Sequence, residues 1–134
     1  MRLTSRYRFS ASHRLDTPAL SVEENRKLYG KCNNPHGHGH DYLLEITVDG
    51  PVDENGQVVN REAMDTLVRE RILARLDHKN LNADIPELAG SVTTTENLAT
   101  LVRESLVKGW TLPARLARVR VAETARNSFE LEVS

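Results

Sequence analysis

From Leu3 to His13 the odd positions read Leu3, Ser5, Tyr7, Phe9, Ala11 and His13, while Arg2, Arg6 and Arg8 hold even ones. A side-chain period of two belongs to an extended chain with one buried face, so this segment is a strand whose inner surface ends in a histidine. The period returns where Tyr42, Leu44, Ile46 and Val48 alternate with Asp41, Glu45, Thr47 and Asp49 until Gly50-Pro51 stops the run. It returns again in Ala117, Val119, Val121 and Glu123 opposite Arg118 and Arg120. After the turn-like Ala125-Arg126-Asn127 it recurs in Phe129, Leu131 and Val133 against Glu130 and Glu132. Four half-buried strands leave one apolar sheet face that helices must cover.

Between the strand pairs the period becomes helical. Behind Asn60, a candidate N-cap, Met64, Leu67, Val68, Ile72 and Leu76 form a single apolar stripe. Thr93 and Glu96 have capping-box spacing and open a second helix through Leu98, Leu101, Val102 and Leu106 to Gly109, before Leu112-Pro113 breaks it. Asp16 to Lys31, polar and carrying Pro18 and Gly30, reads as an insertion or lid with a short helical stretch near Val22–Leu28. The order ββααββ predicts one α+β domain over residues 1–134: a four-stranded antiparallel sheet with two helices on one face. Its unprotected edge strands predict oligomerisation through those edges.

Composition narrows the partners. A net charge of −1 supplies no basic field for nucleic acid or a membrane surface, so the expected partner is a small molecule or another subunit. One cysteine cannot close an internal disulfide, and Met1-Arg2-Leu3-Thr4 enters a charged alternating segment with no apolar leader; a cytoplasmic location is expected. No apolar run approaches the ~20 residues that span a bilayer.

The chemistry concentrates in Cys32-Asn33-Asn34-Pro35-His36-Gly37-His38-Gly39-His40, which holds the only cysteine and three of the five histidines. Carrying the even parity of Tyr42 backwards puts His40 and His38 on the inner face, where His13 arrives from the other strand. Three imidazoles with an open fourth position are the ligand set of a catalytic Zn²⁺. An isolated His-x-His in a glycine-rich loop is more often solvated; the third inward histidine shifts the balance. His36 has the wrong parity and reads as a loop residue. Cys32 is open to three readings: fourth ligand, buried thiol, or base beside the metal. Asp77-His78 is a carboxylate–imidazole pair suited to proton transfer, or a helix cap with a surface histidine. Glu123 on an apolar face requires a cationic or N–H-rich partner, whether ligand or arginine.

Phe9-Ser10-Ala11-Ser12-His13-Arg14-Leu15, Gly30-Lys31-Cys32-Asn33-Asn34-Pro35, Gly37-His38-Gly39-His40, Leu76-Asp77-His78-Lys79-Asn80-Leu81, Thr94-Thr95-Glu96-Asn97 and Glu123-Thr124 resemble the 6-pyruvoyl tetrahydropterin synthase family, in order and over nearly the whole chain. The resemblance implies the tunnelling fold, in which ββααββ subunits join edge to edge into a trimeric barrel and two trimers stack into a homohexamer. It implies a lyase of tetrahydrobiopterin-type biosynthesis that eliminates triphosphate from 7,8-dihydroneopterin triphosphate. By position, His13, His38 and His40 would bind Zn²⁺, Cys32 would be the general base, and Asp77 and His78 a proton relay reaching it across a subunit interface. Glu123, with Thr94 and Thr95, would hold the pterin. The related 6-carboxytetrahydropterin synthases of queuosine biosynthesis have three residues between the cysteine and His-Gly-His; here five separate Cys32 from His38, and the insertion Pro18–Lys31 agrees with the pyruvoyl-forming branch. A non-catalytic pterin- or zinc-binding protein is the remaining alternative. His36 and Asp41 stand where vertebrate-like members commonly have asparagine.

Overall fold

The structure, a computed structural model, describes residues 1–134. β1 (Arg2–His13) and β2 (His38–Asp49) pair antiparallel without interruption from Arg2 opposite Asp49 to His13 opposite His38. Unbroken register is what two long alternating strands enforce, since a one-residue slip would turn both apolar sets to the outside. β4 (Arg115–Ala122) pairs antiparallel with β2, with an irregularity at Thr47–Val48, and β5 (Ser128–Glu132) pairs antiparallel with β4.

The sheet has five strands, not the expected four, and it is mixed. β3 (Lys79–Asn80) lies parallel to β1 beside Ala11 and Ser12, giving the order β3-β1-β2-β4-β5. Its residues are too few and too polar for alternation to show. Backbone pairing alone makes the strand: His78 N donates to Ser10 O at 2.6 Å and Leu81 N to Ser12 O at 2.8 Å.

α2 (Arg61–Val68) starts at Asn60, whose side chain accepts from Ala63 N. It runs through a wide π turn (Arg69–Leu73) into α3 (Ala74–Leu76), the last turn of the same rod. α4 (Thr95–Gly109) is capped by Thr94, which accepts from Asn97 N at 3.3 Å. Thr93, expected as that cap, is buried instead, and its carbonyl is used elsewhere. The two rods cover the inner face of the sheet. Met64, Val68, Ile72, Leu98, Val102 and Leu106 bury against Phe9, Tyr42, Leu44, Ile46, Val48, Val119 and Val121.

α1 (Val22–Tyr29) is the short helical stretch expected in the insertion, a third helical body beside the two that cover the sheet. Ser21 and Glu24 close a reciprocal capping box at its start. Its one buried residue is Asn25, whose amide donates to the carbonyls of Thr17, Leu20 and Ser21 and accepts from Thr17 N. The insertion is therefore a tied loop, organised by one polar side chain. No helix is long and apolar enough to cross a membrane.

The outer face holds a second organised group. Glu45 is 6% exposed although it points away from the helices. Arg6 Nε donates to it at 2.9 Å, Arg120 lies at 3.0 Å and Arg118 at 3.8 Å. Burial pushes its carboxyl pKa up, but the guanidinium groups of Arg6 and Arg120 outweigh burial and hold it below the ordinary value.

Candidate functional site

At the end of β1, His13 is fully buried and its Nδ1 lies 2.8 Å from the carbonyl oxygen of Thr93. A carbonyl only accepts, so Nδ1 carries the proton and Nε2 keeps its lone pair. That Nε2 is buried and has no hydrogen-bond partner. Burial is the main influence lowering the pKa of His13, ahead of the opposing Thr93 carbonyl and Glu123. Burial thus favours the neutral ring, with Nε2 left bare.

What it aims at comes from three further elements. His40, on β2, packs edge-on against the His13 ring at 4.9 Å, and its Nε2 lies 2.7 Å from Glu123 Oε1. Glu123, one residue past β4, also approaches His13 Nε2 at 3.6 Å and accepts from the Thr95 hydroxyl at 3.0 Å. Cys32, in the 3₁₀ turn Gly30–Asn33, brings Sγ to 3.5 Å from His40 Nε2. One donor atom each from His13, Cys32, His40 and Glu123 fall within 4.8 Å of one another.

These donors suit a transition metal. Zinc accepts imidazole nitrogen, thiolate and carboxylate oxygen at ~2.0–2.3 Å, so each donor type gathered here is one that it takes. The carbonyl behind His13 Nδ1 is the outer-shell partner that metal-bound histidines use to fix their tautomer. The orphaned Nε2 of His13 is the observation that carries the fit, because a buried nitrogen with a free lone pair is costly unless something accepts it. The Cys32 thiol is pushed up in pKa by burial and then by Glu123. A divalent cation beside it would act in the opposite sense.

The turn preceding β2 aims the histidines. Gly37 N donates to Asn34 O at 2.8 Å, and Gly37 has a φ of 81° with its Cα facing the His13 carbonyl, where a Cβ would sit 3.2 Å from the oxygen. Only glycine takes this conformation without strain. His38 then enters the sheet on the face expected, and its ring meets that of His40 at 4.7 Å. His38 is not among the four converging donors; Glu123 is. His36 is exposed, with its backbone N–H on the Asn34 side chain.

Asp77 and His78 lie at the edge of β1. Asp77 Oδ1 accepts from Ser10 N at 2.9 Å, and His78 Nε2 stands 3.6 Å from Asp77 Oδ2. His78 is 83% exposed in its side chain and is the one non-glycine residue with positive φ, 59°. Such a strained backbone is stored where the surroundings demand a particular side-chain direction. It shares one surface opening with Gly39, His40 and Asp41, yet neither member of the pair belongs to the four-donor group. Thr94 serves as the α4 cap beside the buried Thr93 and Thr95.

Two participants leave little trace in the sequence. The Thr93 carbonyl is invisible because main-chain groups carry no residue signature. Tyr42 gave a signal, since it continues the inward parity of His38 and His40, but it reads as core. Its hydroxyl is buried without a partner, and burial, then Glu123, then Cys32 raise its pKa far above the usual range.

The family model described as "6-pyruvoyl tetrahydropterin synthase" matches residues 2–133. A 6-pyruvoyl tetrahydrobiopterin synthase of Poecilia reticulata is 48% identical over 121 residues, covering 89% of this chain and 81% of that protein. The corresponding protein of Homo sapiens is 47% identical over 127 residues, covering 93% and 86%. The solved structure of Caenorhabditis elegans 6-pyruvoyl tetrahydropterin synthase superposes with a TM-score of 0.90 at 34% identity, over 100% of this chain and 96% of that one. The five-stranded sheet backed by its helical rods is therefore the tunnelling fold, and the chain belongs to the 6-pyruvoyl tetrahydropterin synthase family.

Proposed function

We propose that this single-domain chain is a Zn²⁺-dependent carbon–oxygen lyase that converts 7,8-dihydroneopterin triphosphate to 6-pyruvoyl tetrahydropterin. The observation that carries the reading is the inward convergence of His13, His40, Cys32 and Glu123, with a buried lone pair on His13. Relatives 45–48% identical carry the synthase name, which supports the same activity here. His13, His38 and His40 would hold the ion, His38 coming from the same face of β2 as His40. Bound there, the ion supplies Lewis acidity toward the hydroxyls of the substrate side chain.

The chain's own groups do the remaining work. Cys32, as thiolate, removes a proton from the side chain. Glu123, positioned by the Thr95 hydroxyl, accepts from the 2-amino and ring N–H groups of the pterin, and Thr94 and Thr95 complete recognition. Asp77 and His78 return protons. Their exposure at the β1 edge suits delivery to the cleft of a neighbouring subunit. β1 is paired on that side only at Ala11 and Ser12, and β5 has a neighbour on one side only, so both edges are open to other copies, as a barrel-forming hexamer requires. The single unpaired thiol suits a reducing cytoplasm.

The test is to incubate the Zn²⁺-loaded protein with 7,8-dihydroneopterin triphosphate, measure triphosphate release and identify the product by mass spectrometry. 6-Pyruvoyl tetrahydropterin is expected. A 6-carboxy product with acetaldehyde would assign the chain to the queuosine-type reaction, and binding without triphosphate release would leave a pterin-binding protein.

A further inference from the structure

Three buried side-chain polar atoms in the chain lack a hydrogen-bond partner: His13 Nε2, the Tyr42 hydroxyl and Arg118 Nε. The first two belong to one neighbourhood. Tyr42 is fully buried, stacks on Phe9 at 5.0 Å and meets the His40 ring edge at 5.7 Å. The β2–β4 register pairs Leu44 with Val121 and Leu43 with Ala122 and ends there; Glu123 is the next residue of its chain and Tyr42 the next of β2, so by alternation both lie on the inner face. Both also meet one ring: His40 has the Tyr42 ring at 5.7 Å and Glu123 Oε1 at 2.7 Å from its Nε2.

Glu123 here has His40 Nε2 at 2.7 Å and the Thr95 hydroxyl at 3.0 Å. A nitrogen that ligates a metal must give up its proton, so a cation taken by His40 Nε2 removes one of the two donors from this half-buried carboxylate. The carboxylate would then keep only the Thr95 hydroxyl as donor, while the buried Tyr42 hydroxyl on the same sheet face still lacks an acceptor. Pairing them removes both penalties.

We propose that Tyr42 is a positioning residue whose hydroxyl takes over from His40 as hydrogen-bond donor to Glu123 when the cation is bound, holding the carboxylate ready for the pterin. This rests on the metal site of the proposed function. The hydroxyl has no role in proton transfer; it exchanges one partner shortage for one bond, and so couples metal loading to the orientation of the pterin anchor.

The experiment is Zn²⁺ titration by competition with a chromophoric chelator, with melting temperatures of chelator-treated and Zn²⁺-loaded protein, for wild type, Tyr42→Phe, Glu123→Gln and the double variant. The phenylalanine variant deletes only the hydroxyl. After chelation it should melt at or above the wild-type temperature, because an unsatisfied group has gone. It should bind Zn²⁺ about tenfold more weakly, the size of one hydrogen bond to a charged group, and gain less in melting temperature on loading. In the Glu123→Gln background the same change should have a much smaller effect on Zn²⁺ affinity. Equal Zn²⁺ affinity of wild type and Tyr42→Phe would overturn the inference and leave the metal site standing. So would an equal loss of melting temperature with and without Zn²⁺, or an undiminished effect in the Glu123→Gln background. Wild-type protein that takes up no Zn²⁺ would overturn both readings.

Discussion

His13 illustrates how a single side chain is made useful by what surrounds it. Its strand brings it inward, the Thr93 carbonyl fixes which nitrogen is bare, and burial favours the neutral ring. Cys32 is placed differently, by a turn whose Cys32 carbonyl accepts from Leu15 N at 2.7 Å while the buried Asn33 amide donates to Leu15 O at 2.6 Å. Removing the thiol should therefore spare the histidines. Cys32→Ala is expected to retain Zn²⁺, measured by plasma emission after dialysis, and to lose triphosphate release by about 10²-fold or more, the scale of a lost general base. Normal turnover in that variant would assign the base elsewhere.

At the scale of elements, the site depends on two junctions. The Asn34–Gly37 turn feeds β2 with the correct parity, and Gly37 takes a left-handed φ against the His13 carbonyl. Gly37→Ala is expected to cost about 1–2 kcal/mol in urea unfolding and to weaken Zn²⁺ binding at the same time, since the strain falls where His13 and His38 meet. The α4 N-terminus is the other junction. Thr94 caps it, while its neighbours Thr93 and Thr95 orient His13 and Glu123. Thr94→Ala should lose about 1 kcal/mol of stability, the ordinary size of a lost cap, and should raise KM for the pterin substrate if the frayed turn releases Thr95. An unchanged KM would mean that the buried threonines hold their places without the cap and that the Thr94 side chain takes no part in pterin recognition.

Across the whole molecule, the two sheet faces behave differently. The inner face is an apolar layer that ends in the site; the outer face is held by Glu45 between Arg6 and Arg120. A carboxyl whose folded pKa is depressed binds protons less readily than in the unfolded chain, so its stabilisation is fully present above the unfolded value of ~4.3 and is lost as pH falls through the lower folded value. Glu45→Gln should lower stability at neutral pH by about 1–3 kcal/mol and flatten the pH dependence of the melting temperature below about pH 5. A melting curve as acid-sensitive as wild type would place the acid response in other carboxylates. The open edges make a further prediction. Phe129, on edge strand β5, is 36% exposed, and Phe129→Lys should reduce the assembled mass in light scattering if copies join there.

Alternation and helical spacing were enough to read the long strands, the covering helices and the face on which His13, His38, His40 and Glu123 lie. Periodicity survives folding because one side of each element has to be dry. Asn60 as a cap and the helical stretch of the insertion were legible for the same local reason. The tertiary structure decided what depends on contacts between distant segments. β3 exists only through its backbone pairing with β1, so nothing in Lys79-Asn80 announced a fifth strand. Capping spacing pointed to Thr93, but burial and the His13 ring claimed it and passed the cap to Thr94. Parity placed Glu123 inward, yet only the pairing of β2 with β4 brought it to His40. Local chemistry fixes which face a residue occupies. Register and packing fix which residue it meets there, because that choice is made by segments tens of residues away.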